Sequence, residues 1–304
     1  MTQININPLA ALSTGSQYTL INGYTGTIAG ANFTAGSITG DATHSIALQN
    51  TAGSVTAIIG AATPTVAYWS GASDGNWTTM APTTAATNWR TTATDNIDTQ
   101  ALPGSVTDVY FATTNPAAAN LSPALNQAVT IKSLTFDNSI SATAGITVPG
   151  ALTVSNAAGI TNNNAAGGAV TISAPVALGV AQTWTNNNTT DTLTVSGAVT
   201  NGANGLTIAG AGNTTISGVV GNGAGTLTKS GSGTLALGAN NTYTGNTILD
   251  GGTVQYTADN VYTVPSVLTL ADTSTITAAT LSVGPSALGS VVTVHTPESN
   301  EGAG

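Results

Sequence analysis

Arg90, Asp95 and Asp98 stand within one short stretch of the chain. Two carboxyls beside a guanidinium could serve hydrolysis or lysis of a polysaccharide, one as acid and the other as base or nucleophile. All three fall where turn formers crowd, and the aspartates of the regular stretch that follows (Asp137, Asp191, Asp250, Asp259, Asp272) are scattered, so the expectation is no catalytic residue and no enzyme. The histidines, His44 and His295, lie far apart, and neither has a cysteine or a second histidine nearby, so neither is expected to hold a metal. Asp74-Gly75-Asn76 and Asp95-Asn96-Ile97-Asp98 offer hard oxygens that calcium could take. Against that, the glycine-rich nonapeptide of calcium-binding β-rolls is missing, and an EF-hand loop needs more acidic positions. Asp and Asn build turns more often than they bind ions, so no cofactor is expected. Trp69, Trp77 and Trp89 could stack on sugar rings or pack at the end of a folded coil.

Composition narrows the classes. Of 304 residues only 5% are charged, with 3 Lys and Arg against 12 Asp and Glu and a formal charge of −9. Arg90, Lys132 and Lys229 cannot make the basic footprint that a phosphate backbone requires, so nucleic acid is not an expected partner. Attachment to anionic lipid fails for the same reason. No apolar run approaches the ~18 residues of a spanning helix, so membrane insertion is not expected. The absence of cysteine removes disulfides and thiolate chemistry. No signal peptide is written into Met1-Thr2-Gln3-Ile4-Asn5.

The elements that must position these residues read as strands. From about Leu121 to Thr296, segments such as Val129–Phe136, Ala169–Leu178, Thr192–Val199, Thr214–Val219 and Thr253–Tyr256 alternate apolar residues with Thr or Ser, between Gly, Asn and Asp. Alternation puts the apolar set on one face, and short strands at even spacing are the mark of a coil that buries its face only by stacking on its neighbours. The predicted fold is all-β, a right-handed parallel β-helix (β-solenoid) with an N-terminal β-rich segment. About 20 residues per pass would give roughly nine coils and a rod on the order of 40 Å long. Three regions follow: residues 1–66 as N-terminal strands and junction, 67–120 as a Trp-containing, loop-rich shoulder, and 121–304 as the solenoid with a short tail. Asn162–Asn164 and Asn186–Asn188 sit at strand boundaries, where Asn tolerates left-handed backbone and stacks its amides into ladders; an exposed amide row that contacts carbohydrate is the competing reading.

One stretch carries a resemblance. Leu227, Lys229, Gly231, Gly233 and Leu235, then Asn241, Thr242, Tyr243, Gly245 and Thr247, then Gly252, Thr253 and Val254 are similar to the autotransporter-associated β-strand repeat of bacterial surface proteins. Trp69-Ser70-Gly71, Asp74-Gly75-Asn76-Trp77, Asn88-Trp89, Asp108-Val109-Tyr110-Phe111 and Ser133-Leu134-Thr135-Phe136 follow the order that precedes the repeat in those proteins. Ile6-Asn7-Pro8-Leu9 and Tyr18-Thr19-Leu20-Ile21 resemble the segment that follows one solenoid and leads into the next, so the usual order is rotated. The resemblance places a lysine at position 229, and an outward, snorkelling side chain is expected there. It also implies an extracellular or cell-surface location. No C-terminal membrane barrel is read, so self-export is not expected.

A solenoid ends on unpaired backbone groups that recruit another strand unless they are capped. The strand-like start would continue the last coil of a second copy, a contact that does not close on itself and so makes a filament. The expected interface is Ile4, Ile6 and Leu9 against Val292 and Val294. The expected protein is a structural subunit that stacks head to tail into a filament, tube or sheath, with itself as partner. The alternative is a monomeric surface adhesin or passenger fragment that binds glycan or a host surface.

Overall fold

The computed structural model describes residues 2–8, 11–22, 33–51, 54–112, 120–137, 144–146, 150–164 and 168–256, together with two further strands at Leu268–Leu270 and Ala279–Ser282. Every regular element among them is a strand. That follows from the filling of the periodic positions by β-branched Thr, Val and Ile, and from glycines that interrupt any helical window.

The first five strands form a module of their own. Strands β2 (Gln17–Asn22), β4 (His44–Thr51) and β5 (Ser54–Ala61) make an antiparallel sheet in the order β2-β5-β4, while β1 (Thr2–Ile6) pairs in parallel with β3 (Phe33–Ile38). Alternate residues of the β4–β5 hairpin point inward. Ile46, Leu48, Val55, Ala57 and Ile59 are buried with Ile38, and Ile4, Ile6, Leu12 and Ile21 close over them. The opposite face carries Ala47 and Ile58, which pack on Met80 and Ala85 and tie the hairpin to the shoulder.

The solenoid begins inside that shoulder. Strand β6 (Val66–Trp69) lies parallel to β8 (Asp108–Phe111), with Trp69 opposite Phe111, and β8 lies parallel to β10 (Ser133–Phe136). The border drawn near residue 120 is therefore no break in the sheet. The two-residue β7 (Trp89–Arg90) pairs antiparallel with β6 and terminates that sheet. Beyond β10 the same sheet continues through β13 (Ile160–Asn162), β16 (Gln182–Asn186), β19 (Leu206–Ala209), β22 (Leu227–Lys229), β24 (Thr247–Leu249) and β26 (Leu268–Leu270).

Two more parallel sheets complete each coil. One stacks β9 (Val129–Ile131), β12 (Leu152–Val154), β15 (Val176–Leu178), β18 (Val199–Thr200) and β21 (Val220–Gly221); the other stacks β11 (Ala144–Ile146), β14 (Val170–Ile172), β17 (Leu193–Val195), β20 (Thr214–Ile216), β23 (Thr234–Leu237), β25 (Gly252–Tyr256) and β27 (Ala279–Ser282). The stack makes about six turns. The larger number expected came from a span to residue 296, much of which lies outside the described residues. Side chains at equivalent positions fall in columns, as in Val109, Leu134 and Ile160, or Val170, Leu193 and Thr214. Each fully buried Leu or Ile contributes about 1.5–3 kcal/mol.

Coils are not of one length. From Trp184 to its rung partner Ile208 is 24 residues, and from Ile208 to Lys229 is 21. The difference lies at one corner. In the longer coils Asn162 and Asn186 are buried there; the Asn162 Nδ2 donates to Asn186 Oδ1 at 2.9 Å, and each side-chain oxygen accepts the backbone N–H two residues on. In the next coil the corner is Gly210, at φ 98°, where a Cβ would collide with the Asn186 carbonyl. The amide ladder read from the sequence is therefore internal, and the exposed pair Asn163 and Asn187, 2.8 Å apart, is its outer edge.

Candidate functional site

The carboxylates singled out for chemistry are held by the chain itself. The turn after the third tryptophan brings Asp98 back to β7, where Oδ2 accepts from the Thr87 N–H at 2.8 Å and from Arg90 Nη1 at 2.9 Å. Its Oδ1 accepts from the Thr87 hydroxyl and the Gln100 N–H. The Arg90 side chain is buried; it also donates to the carbonyls of Thr87 and Trp89 and to Asn96 Oδ1. This is a fastening of a long loop. Asp95 closes a smaller turn, accepting from the Ile97 N–H and the Thr91 hydroxyl; hydrogen bonding, from Thr92 first, holds its carboxyl below the ordinary value.

Asp74 is fastened in the same manner. Its oxygens accept from the backbone and side chain of Asn76, from the Thr79 hydroxyl and from Asn88 Nδ2, the last at 2.7 Å. Partial burial pushes its pKa up, but these donors prevail and hold it low. Donors occupy the oxygens that calcium would need, and no group of three or more metal-binding side chains occurs among the described residues. His44 Nδ1 lies 2.7 Å from Asp41 Oδ2. Hydrogen bonds from the Thr43 hydroxyl and N–H hold Asp41 down to about 2. His295 lies outside the described residues.

The tryptophans form a collar at the start of the solenoid. Trp69, Trp77 and Trp89 are fully buried, with Trp77 and Trp89 edge to face at 4.7 Å and Trp69 and Trp89 at 5.0 Å. Phe111 and Phe136 extend the stack into the next rungs. Trp69 Nε1 donates to the Asn120 carbonyl and Trp89 Nε1 to that of Trp77. No ring face is left for a sugar, so packing at the coil end is their role.

Lys229 overturns the expectation of an outward side chain. It is 1% exposed and stands in the inward column between Ile208 and Leu249. The alternation of β22 dictates this, because Leu227 and Lys229 share a face and Thr228 takes the other. The ammonium bends to the corner and donates to the carbonyls of Ser230 at 2.6 Å and Gly231 at 2.9 Å. Desolvation pushes its pKa down to about 8. Lys132, by contrast, is part exposed and pairs with Asp108 at 2.6 Å.

Of the expected interface, Ile4 and Ile6 are half-buried in the N-terminal module's own apolar cluster. Leu9, Val292 and Val294 lie outside the described residues. Among the described residues β1 is hydrogen-bonded along one side only, to β3, and β26 and β27 likewise pair on one side only. Sequence reasoning missed a cleft of about 540 Å³ between the β4–β5 hairpin and the shoulder. Gln49, Thr78, Asn126 and Gln127 line it, with Leu48 and Met80 among its apolar wall residues. Its neutral side chains come from three distant parts of the chain and form no pattern in the sequence.

No curated protein and no solved structure matches the chain. Residues 227–255 match the family model of the passenger-associated-transport-repeat, and the stretch from β22 to β25, with Lys229 buried in it, is accordingly an autotransporter-associated repeat within this chain.

Proposed function

We propose that the chain is an exported structural subunit whose solenoids stack head to tail into an extracellular filament or sheath. The repeat suggests a secreted or surface protein. The observation that carries the finer reading is that, among the described residues, β1 in its two-stranded sheet with β3 and the last solenoid strands β26 and β27 each pair along one side only. Open parallel edges add strands readily. Ile4 and Ile6 are already engaged in their own module, so the joint would use the free backbone edge of β1, with those side chains stiffening it. The subunit is its own partner, and nucleic acid and membrane insertion have no part in this reading. Catalysis has none either, since Asp98 and Arg90 are bound to each other and to the backbone.

The test is to introduce lysine at Gln3, which adds charge to β1 while leaving Ile4, Ile6 and the Asn5 side chain that accepts from the Ser37 N–H in place. The intact protein is expected to sediment as polymer and the Gln3→Lys variant as folded monomer. Unchanged polymer would place the joint elsewhere.

A second reading, a surface adhesin that binds glycan, is favoured by the cleft between hairpin and shoulder, where the side chains of Gln49, Thr78, Asn126 and Gln127 are not consumed by the fold.

A further inference from the structure

We propose that the cleft between the β4–β5 hairpin and the shoulder binds a neutral oligosaccharide of about three sugar units. This rests on the adhesin reading and gives it a site and a ligand class; it does not depend on whether subunits polymerise.

The chemistry of the wall selects the ligand. The side chains of Gln49, Thr78, Asn126 and Gln127 make no hydrogen bond within the described chain. Primary amides present a carbonyl acceptor and two N–H donors on one rigid plane, and a hydroxyl donates and accepts at one atom. Vicinal sugar hydroxyls need that mixture, because each is donor and acceptor at once. Ala47, Ile58 and Met80, on the side of the hairpin that packs on the shoulder, form the apolar floor against which the C–H face of a ring can lie. No lysine or arginine lines the cleft, so an acidic or phosphorylated ligand finds no counter-charge. Its carboxylate, Asp74, has both oxygens occupied by Asn76, Thr79 and Asn88. Asp74 therefore fixes the wall, with its oxygens turned to those donors. The volume, about 540 Å³, falls within the range of small-ligand sites.

The occupied Asp74 also gives the site a set shape. Its hydrogen bonds fix the turn that carries Asn76 and Thr79, which border Trp77 and Thr78 in sequence. Trp77 is buried in the collar, so a ligand against Thr78 is next to an indole whose emission can report it.

The experiment is titration calorimetry of the full chain with cellotriose, maltotriose and chitotriose, with trigalacturonate as the acidic comparison. The measurement is repeated on Asn126→Ala/Gln127→Ala and on Gln49→Ala. We expect saturable binding of at least one neutral trisaccharide and weaker binding of the acidic one. Loss of two amide contacts should weaken binding by about tenfold or more, with melting temperature unchanged because these side chains hold nothing in the fold. Neutral binding that survives both variants would overturn this site and leave the adhesin reading standing. No binding of any neutral trisaccharide would overturn both, and preferential binding of trigalacturonate would overturn the ligand class.

Discussion

Lys229 stands directly on Ile208 in the apolar column, so an ammonium takes the rung that a branched hydrocarbon fills one coil earlier. Its Nζ meets two carbonyls at the glycine corner, Ser230 and Gly231, where the earlier coils place buried Asn amides. Those two acceptors suit the two N–H groups of a neutral amine as well as they suit an ammonium.

This burial makes stability depend on pH. The folded pKa of Lys229 is about 8, against about 10.4 in an unfolded chain. Between those values the unfolded state binds more protons, so stability rises as pH climbs from 8 toward 10, by up to about 3 kcal/mol. Tyr243, whose pKa is pushed up by burial, acts in the opposite sense only above about pH 10. Thermal melts from pH 7 to 10 should show a rising transition that flattens in Lys229→Met. A rise of equal size in the variant would show that another group titrates.

The tryptophan collar should be the most costly place to cut. Trp89→Ala removes a fully buried ring from contact with Trp69 and Trp77 and frees the Trp77 carbonyl. A loss of about 3–5 kcal/mol is expected in denaturant unfolding. A loss under 1 kcal/mol would mean that the collar does not cap the core.

Gly210 tests the corner. At φ 98° and against the Asn186 carbonyl, an alanine has neither the backbone nor the room. Gly210→Ala should lower stability by about 1–3 kcal/mol. Gly202, with φ 58° but nothing within 4 Å of its Cβ position, should lose less. Equal losses at both would point to backbone strain alone.

Asp98→Ala should act on the fold and not on turnover. It leaves the buried Arg90 without its ion pair, a change worth about 3 kcal/mol or more. The variant should melt earlier than wild type, and Asp95→Ala should shift the melt less because Asp95 closes only its own turn. Equal shifts would argue against the fastening role of Asp98.

How much of this was legible in the sequence depends on which signal each part uses. Period-two alternation at Leu152-Thr153-Val154 or Leu193-Thr194-Val195 declares both strand and inward face, since nothing but the pleat decides it. The same rule, applied at Leu227-Thr228-Lys229, points the lysine inward. The preference of a charge for water points it outward instead, and the carbonyls of Ser230 and Gly231 that receive the ammonium are invisible to alternation. The start of the solenoid at Val66 was hidden by the loops between β6 and β8, which interrupt the repeat without interrupting the sheet. Ile4 and Ile6 were legible as strand, but their partner was not, because a parallel pairing with Phe33–Ile38 leaves no turn signal between neighbours. The cleft could not be read at all, as its amides converge only in three dimensions.

Negative-stain electron microscopy of the purified full chain at high concentration tests the central claim most directly. End-to-end stacking predicts long, unbranched filaments with an axial repeat of one subunit, lost in Gln3→Lys. Isolated short rods at every concentration would contradict it.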